Sequence, residues 1–215
     1  MSPMSGKEPK LNLDAWNNIS DLKNSHNCFS YAMNTIDRAL MKRCNETEDC
    51  NVGFSQPGYA SGHGEFSDSH EKGCSDMVSR LWGDNPDIKI ISFSKKCPYN
   101  TSKIALIVDP RRDYHFLRQD SNGYWSHKPG SMKVTTLDAS DRPIIRPDLS
   151  LFIYKNHKDP LEYTKFCGYY CVPRGKPLYV SSEPKQEGGE KPFHGSSRYQ
   201  MTRKKSRGDS HSLED

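Results

Sequence analysis

The sequence predicts an α+β fold, a helix packed on an antiparallel β-sheet, and three observations point to it. One amphipathic helix opens at Asn27-Cys28. Beyond it, between residues 88 and 172, short apolar and aromatic runs alternate with Gly, Pro, Asn and Asp, the pattern of strands and tight turns. Between them, residues 44–72 are rich in Gly, Ser, Asn and acidic side chains, a long excursion of the kind that shapes a binding cleft.

Taken in order, residues 1–12 are polar and Pro-containing and read as a flexible arm. A segment carrying Trp16 and Ile19 follows and is expected to pack on the core. Cys28, Tyr31, Ala32, Ile36, Ala39 and Leu40 recur at helical spacing, with Asn27 as N-cap and Lys42 and Arg43 in the last turn. A second helix is expected over 75–82, stopped by Gly83 and Pro86. Strands are expected over 88–93, 103–109, 114–119, 123–128, 151–154 and 166–172, with Asp120-Ser-Asn-Gly123 as a hairpin turn. Residues 181–215 carry few large apolar side chains, so burial cannot offset the entropy of ordering them, and a disordered tail is expected. The domain proper is therefore 13–180. The Arg203-Lys204-Lys205-Ser206-Arg207 cluster reads as solvated charge, with a localisation or anionic-surface signal as the alternative.

Composition excludes several classes. The 31 basic and 27 acidic residues give a net charge of only +4, a mixed balance that does not suggest a nucleic-acid partner. No apolar run is long enough to span a bilayer, and residues 1–10 lack the apolar core of a secretion signal. An intracellular or virion location is the expectation, and sequons at Asn18, Asn45 and Asn100 are then chance matches. Seven cysteines leave at least one thiol without an intrachain partner, and in a reducing compartment most are plain thiols. No metal or cofactor is expected. Cys44, Cys50 and Cys74 with His63 or His70 are too irregularly spaced for a zinc site, and Cys167 and Cys171 lack the two-residue spacing of a knuckle.

The candidate chemistry begins with Cys28. A thiol at a helix N-terminus faces unpaired backbone N–H groups and the positive end of the helix dipole, which favour the thiolate. His115 lies on one expected strand and His127 on its hairpin partner, where the turn sets them roughly opposite one another. His115 is thus the candidate base and His127 its orienting partner. Asp138 is the alternative third member. Asn27, the Cys28 backbone N–H, and Gln119 or Gln56 are the candidates for binding a substrate oxyanion. Arg111 and Arg112 are solvated turn charges, close enough in sequence to His115 to meet an acidic substrate group.

These residues carry a resemblance. Asn27-Cys28-Phe29-Ser30, then His115, then a polar residue about one hairpin later, resembles the NlpC-type superfamily of papain-fold cysteine amidases and endopeptidases. In that family the nucleophile stands in an Asp-Cys-Ser-Gly context. Here the glycine is absent, and Phe116 stands where a small residue follows the first histidine. The stretch 113–130 also looks like uncharacterised bacterial and large-DNA-virus proteins. The resemblance covers roughly residues 24–175. It implies a papain-like fold, attack by the Cys28 thiolate on a peptide or other amide carbonyl, and an acyl-enzyme resolved by water.

Two further readings stand beside a cysteine hydrolase. One is a catalytically inert descendant of the fold, serving as a binding or structural protein and conceivably as a particle component. The other is a zinc-stabilised binding domain. Taken one at a time, Cys28 reads as a small buried hydrophobe, His115 as a strand histidine among aromatics, and His127 as a half-buried hairpin residue.

Overall fold

A computed structural model describes residues 1–47, 50, 53–66, 71–155 and 160–185. It is an α+β protein in which short helices pack on one face of an antiparallel sheet. Helices α1 (Leu13–Asn18), α2 (Ser20–Ser25), α3 (Cys28–Met33), α4 (Arg38–Thr47) and α5 (Cys74–Asp84) precede all seven strands. The strands are β1 (Lys89–Ile91), β2 (Thr101–Asp109), β3 (Asp113–Gln119), β4 (Trp125–His127), β5 (Ile153–Tyr154), β6 (Leu161–Glu162) and β7 (Lys165–Pro173). The main sheet runs β1-β7-β2-β3-β4, with β5 and β6 pairing separately.

Strand alternation splits the interior in two. Ile104, Leu106, Val108, Tyr114, Phe116, Tyr170 and Val172 face α3 and α5, meeting Phe29, Ala32, Met77 and Leu81. Ala105, Ile107, Leu117, Trp125 and Tyr169 face the other way, onto Ile144 and Phe152. Because the central strands β2 and β3 are covered on both sides, they read as near-continuous apolar runs.

The expected helix from Cys28 to Arg43 is two helices. Asn34 takes a left-handed conformation (φ 56°), and its N–H and that of Thr35 close on Tyr31 O and Ser30 O. Asp37 then starts α4 by accepting from Ala39 N and Leu40 N. The break leaves Ile36 49% exposed, so this apolar position does not belong to the buried stripe. We expect Asn34→Ala to lower the unfolding free energy in urea by about 1–2 kcal/mol, since alanine is strained at positive φ. Asn34→Gly should cost less.

A six-residue helix is too short to persist alone. Here both ends of α3 are held. Asn27 Oδ1 accepts from Phe29 N and Ser30 N, while Ser30 Oγ takes the Asn27 N–H, completing a capping box. At the other end Arg118 donates to Tyr31 O, and Arg174 donates to Met33 O and Ala32 O, satisfying carbonyls that the helix itself leaves open.

Residues 1–12 are not a loose arm. The Lys103 ammonium is buried and donates to Ser2 Oγ, Phe93 O and Lys95 O, Gln119 Nε2 donates to Ser2 O, and Arg118 reaches Lys10 O. The arm supplies one acceptor to each of these three buried side chains. At the other terminus, the expected tail begins in ordered chain: Gln56 bridges Ser181, and Lys185 N donates to Tyr59 O. The rest of that expectation, with the 203–207 cluster, lies outside the described residues.

Six of the seven cysteines are paired: Cys44–Cys50, Cys74–Cys167 and Cys97–Cys171. Cys28 alone is a free thiol. This corrects the expectation of plain thiols and removes Cys44, Cys50 and Cys74 as zinc ligands. No helix among the described residues is long and apolar enough to cross a membrane.

Candidate functional site

The capping box places Cys28 as the first residue of α3, against the end of β3 nearest the Asp109–Asp113 turn. Its sulfur faces the backbone N–H groups of Phe29 and Phe116. Two such donors would favour a thiolate, but the side chain is only 5% exposed. Burial, helped by the Asp113 carboxylate, pushes the thiol up to about 12. Asp113 is itself half-buried and held by the Tyr163 hydroxyl, which donates to Oδ2 at 2.6 Å.

The two histidines meet. His115 and His127 share a hydrogen bond of 2.8 Å between Nε2 and Nδ1, with their rings nearly perpendicular. His127 Nε2 is 3.0 Å from the carbonyl oxygen of Leu137 and so carries its proton there. Nδ1 of His127 is then the acceptor and His115 Nε2–H the donor. The register differs from expectation: His127 pairs with Leu117, not with His115, so the contact is diagonal. Burial holds both rings neutral, His127 down to about 4 and His115 well below the ordinary imidazole value.

The thiol does not join them. Cys28 packs with Tyr114 and Phe116 on the helix face of β3, whereas His115 shares the face of Leu117 and stacks near Tyr163. Among the described residues no hydrogen bond links Cys28 Sγ to either ring.

The remaining candidates divide. Asn27 caps α3 and donates from Nδ2 to Ser55 O at 2.9 Å, and Gln56 Oε1 accepts from the Tyr114 hydroxyl, so both flank Cys28. Gln119 is fully buried and bonded to Ser2 O and Gly123 O, four residues along the strand from His115. It is therefore unsuited to bind an oxyanion at Cys28. Asp138 accepts from Ser140 N, Arg142 N and Leu151 N. It organises its own loop, and Leu137 O takes the place next to His127 that an orienting carboxylate would fill.

Sequence reasoning missed Tyr163, Asp113 and Lys128. The Lys128 ammonium is buried and donates to Lys23 O, His26 O and Gly130 O at 2.5–2.6 Å, joining the end of α2, the approach to Cys28 and the loop after β4. Its place directly after His127 was the only signal available. Arg111 and Arg112, with Lys72, Asp113 and Leu161, line an open cavity of about 390 Å³ beside Asp113.

No family model matches the chain, and no solved structure matches it. The chain is similar to insoluble matrix shell protein 1 of Ruditapes philippinarum, with 33% identity over 131 residues. That similarity spans 60% of this chain and 73% of that protein. With identity at that level across nearly three quarters of the relative, this chain belongs to the same family as insoluble matrix shell protein 1.

Proposed function

We propose that this protein is a structural, catalytically inert component of an extracellular matrix, built on a papain-like scaffold. One observation carries the inert reading: Cys28 is buried, its thiol is held protonated, and neither histidine is hydrogen-bonded to it. A papain-type nucleophile needs the opposite, a thiolate facing an imidazolium. Kinship with a protein named for an insoluble shell matrix supports the structural role. Three disulfides favour an oxidising, extracellular setting over an intracellular one. The helix-on-sheet order, with a cysteine opening the helix and a histidine pair on the adjacent hairpin, supports the papain-like ancestry.

The second reading, a hydrolase acting on a peptide or other amide, is favoured by the 2.8 Å histidine pair, which matches a base and its orienting partner. Two measurements separate the readings. In the inert protein, iodoacetamide should alkylate Cys28 more slowly at pH 7 than a model thiol, with no slowing in His115→Ala. By NMR both rings should stay neutral from pH 8 to 5. Rapid alkylation that falls in His115→Ala, with an imidazolium signal near neutral pH, would establish the enzyme instead.

The same neutral pair makes stability acid-sensitive. The unfolded His127 ring protonates near 6.5 and the folded one near 4, so the unfolded state binds the extra proton between those values. Its contribution is complete above pH 6.5 and is lost as pH falls towards 4, by about 3 kcal/mol at full effect.

A further inference from the structure

Residues 53–66 run beside Cys28, and three of their hydrogen bonds converge on one carboxylate. Asp84, at the end of α5, is buried and accepts from Gly58 N at 2.6 Å, Ser61 N at 2.8 Å and Ser61 Oγ at 2.9 Å. Gly58 is at φ 91°, and a side chain there would run into Arg80 and His63, so the close approach to Asp84 requires glycine. The segment's inner edge touches both neighbours of the thiol. Ser55 O accepts from Asn27, the residue before Cys28, and Gln56 accepts from Tyr114, whose ring packs in the same cluster as Cys28. Phe66 closes the far end, 5.6 Å from the Tyr114 ring and under the Arg80 guanidinium. Tyr59, Ala60 and Phe66 pack inward, and Gln56 N–Ser181 O and Lys185 N–Tyr59 O tie the segment to the 181–185 stretch, while the contacts to Asp84 hold its turn at 58–61.

We propose that residues 53–66 are a strap that seals the Cys28 site, and that Asp84 is its latch. The strap accounts for the closure on which the inert reading rests, and it makes that closure a reversible property of one segment instead of the whole core. Opening it would expose Cys28 and Asn27 while leaving the sheet, the histidine pair and the three disulfides in place. The site is then cryptic: whatever loosens the latch uncovers the chain's one free thiol.

The test is alkylation of Cys28 by iodoacetamide, read on the Cys28 peptide by mass spectrometry. Asp84→Ala, with far-UV circular dichroism and disulfides unchanged, should raise the rate at least tenfold over wild type. Ser61→Ala, which removes one of the three donors, should raise it less. A folded Asp84→Ala that reacts at the wild-type rate would overturn the strap while leaving the inert reading intact; fast reaction of the wild type would overturn that reading instead. Should Asp84→Ala not fold, the urea dependence of wild-type alkylation decides. A slope well below that of global unfolding, with Gly58 and Ser61 amides exchanging at the same opening rate, supports the strap. A slope equal to that of global unfolding refutes it.

Discussion

Replacing Arg118 by Met is expected to lower the unfolding free energy by about 3–5 kcal/mol, a large part of the total for a domain of this kind. The guanidinium is fully buried and each of its three nitrogens is hydrogen-bonded. Nε bonds Asp120 at 2.9 Å, Nη1 bonds Tyr31 O and Asn34 Oδ1, and Nη2 bonds Lys10 O, with the charge 3.8 Å from the Tyr31 ring centroid. It therefore ties β3 to the C-terminal end of α3, to the left-handed turn after it and to the N-terminal arm. Methionine fills much of the volume but strands the Asp120 carboxylate, which keeps only the Ser126 hydroxyl as a side-chain donor. Burial already pushes the Asp120 carboxyl upward, against the pull of Arg118, so removing Arg118 should raise it further. A raised folded value means the native state binds the extra proton, so the variant's deficit relative to wild type should shrink as pH falls and grow as pH rises. Chemical denaturation at pH 5 and pH 8 checks both parts. In the double variant Arg118→Met/Asp120→Leu, the loss should be smaller than in Arg118→Met alone. A single-variant loss below 1 kcal/mol would show that the network contributes little.

Arg118 also explains what was legible in the sequence and what was not. Period-2 runs and the Asp120–Gly123 turn were readable because strand burial and turn chemistry are local, and Gly123 N does close on Asp120 O. The Asn27 cap was readable for the same reason. The end of α3 was not, because the periodicity continues through Ile36, Ala39 and Leu40 while the residue that fixes the break, Arg118, lies 84 positions away from Asn34. The anchoring of the arm was not legible because Lys103 looks like a solvated strand lysine until its bond to Ser2 Oγ is seen. Within the site, the contact of His115 with His127 followed from a hairpin. The position of Cys28 relative to them did not, since it depends on which face of β3 the helix covers. Tyr163 directly follows β6, 48 residues beyond His115, with no motif to mark it.

Cysteine pairing is the remaining property that spacing cannot give, since six cysteines already allow fifteen connectivities. It carries the second large prediction. Denatured without reductant, the protein should show one reactive thiol per chain, Cys28, and seven after reduction. Cys74–Cys167 spans 93 residues and ties the start of α5 to β7, while Cys97–Cys171 spans 74 and anchors the loop before β2 to the same strand. Loops of that length give up about 4–5 kcal/mol of chain entropy in the unfolded state, and measured losses on removal run from about 2 to 5 kcal/mol. Cys97→Ser/Cys171→Ser should therefore lower stability by an amount in that range, whereas loss of Cys44–Cys50, spanning only 6, should cost less. Reduction should also be ordered. Cys74–Cys167 is partly exposed and should yield to dithiothreitol first, whereas Cys97–Cys171 is buried and should wait for the fold to open. Finding seven thiols in protein purified without reductant would remove the disulfides, and with them the argument for an oxidising compartment. One thiol, with a melting temperature that drops on reduction, would make the covalent frame the dominant stabiliser of a chain whose overall hydrophobic fraction is only 33%.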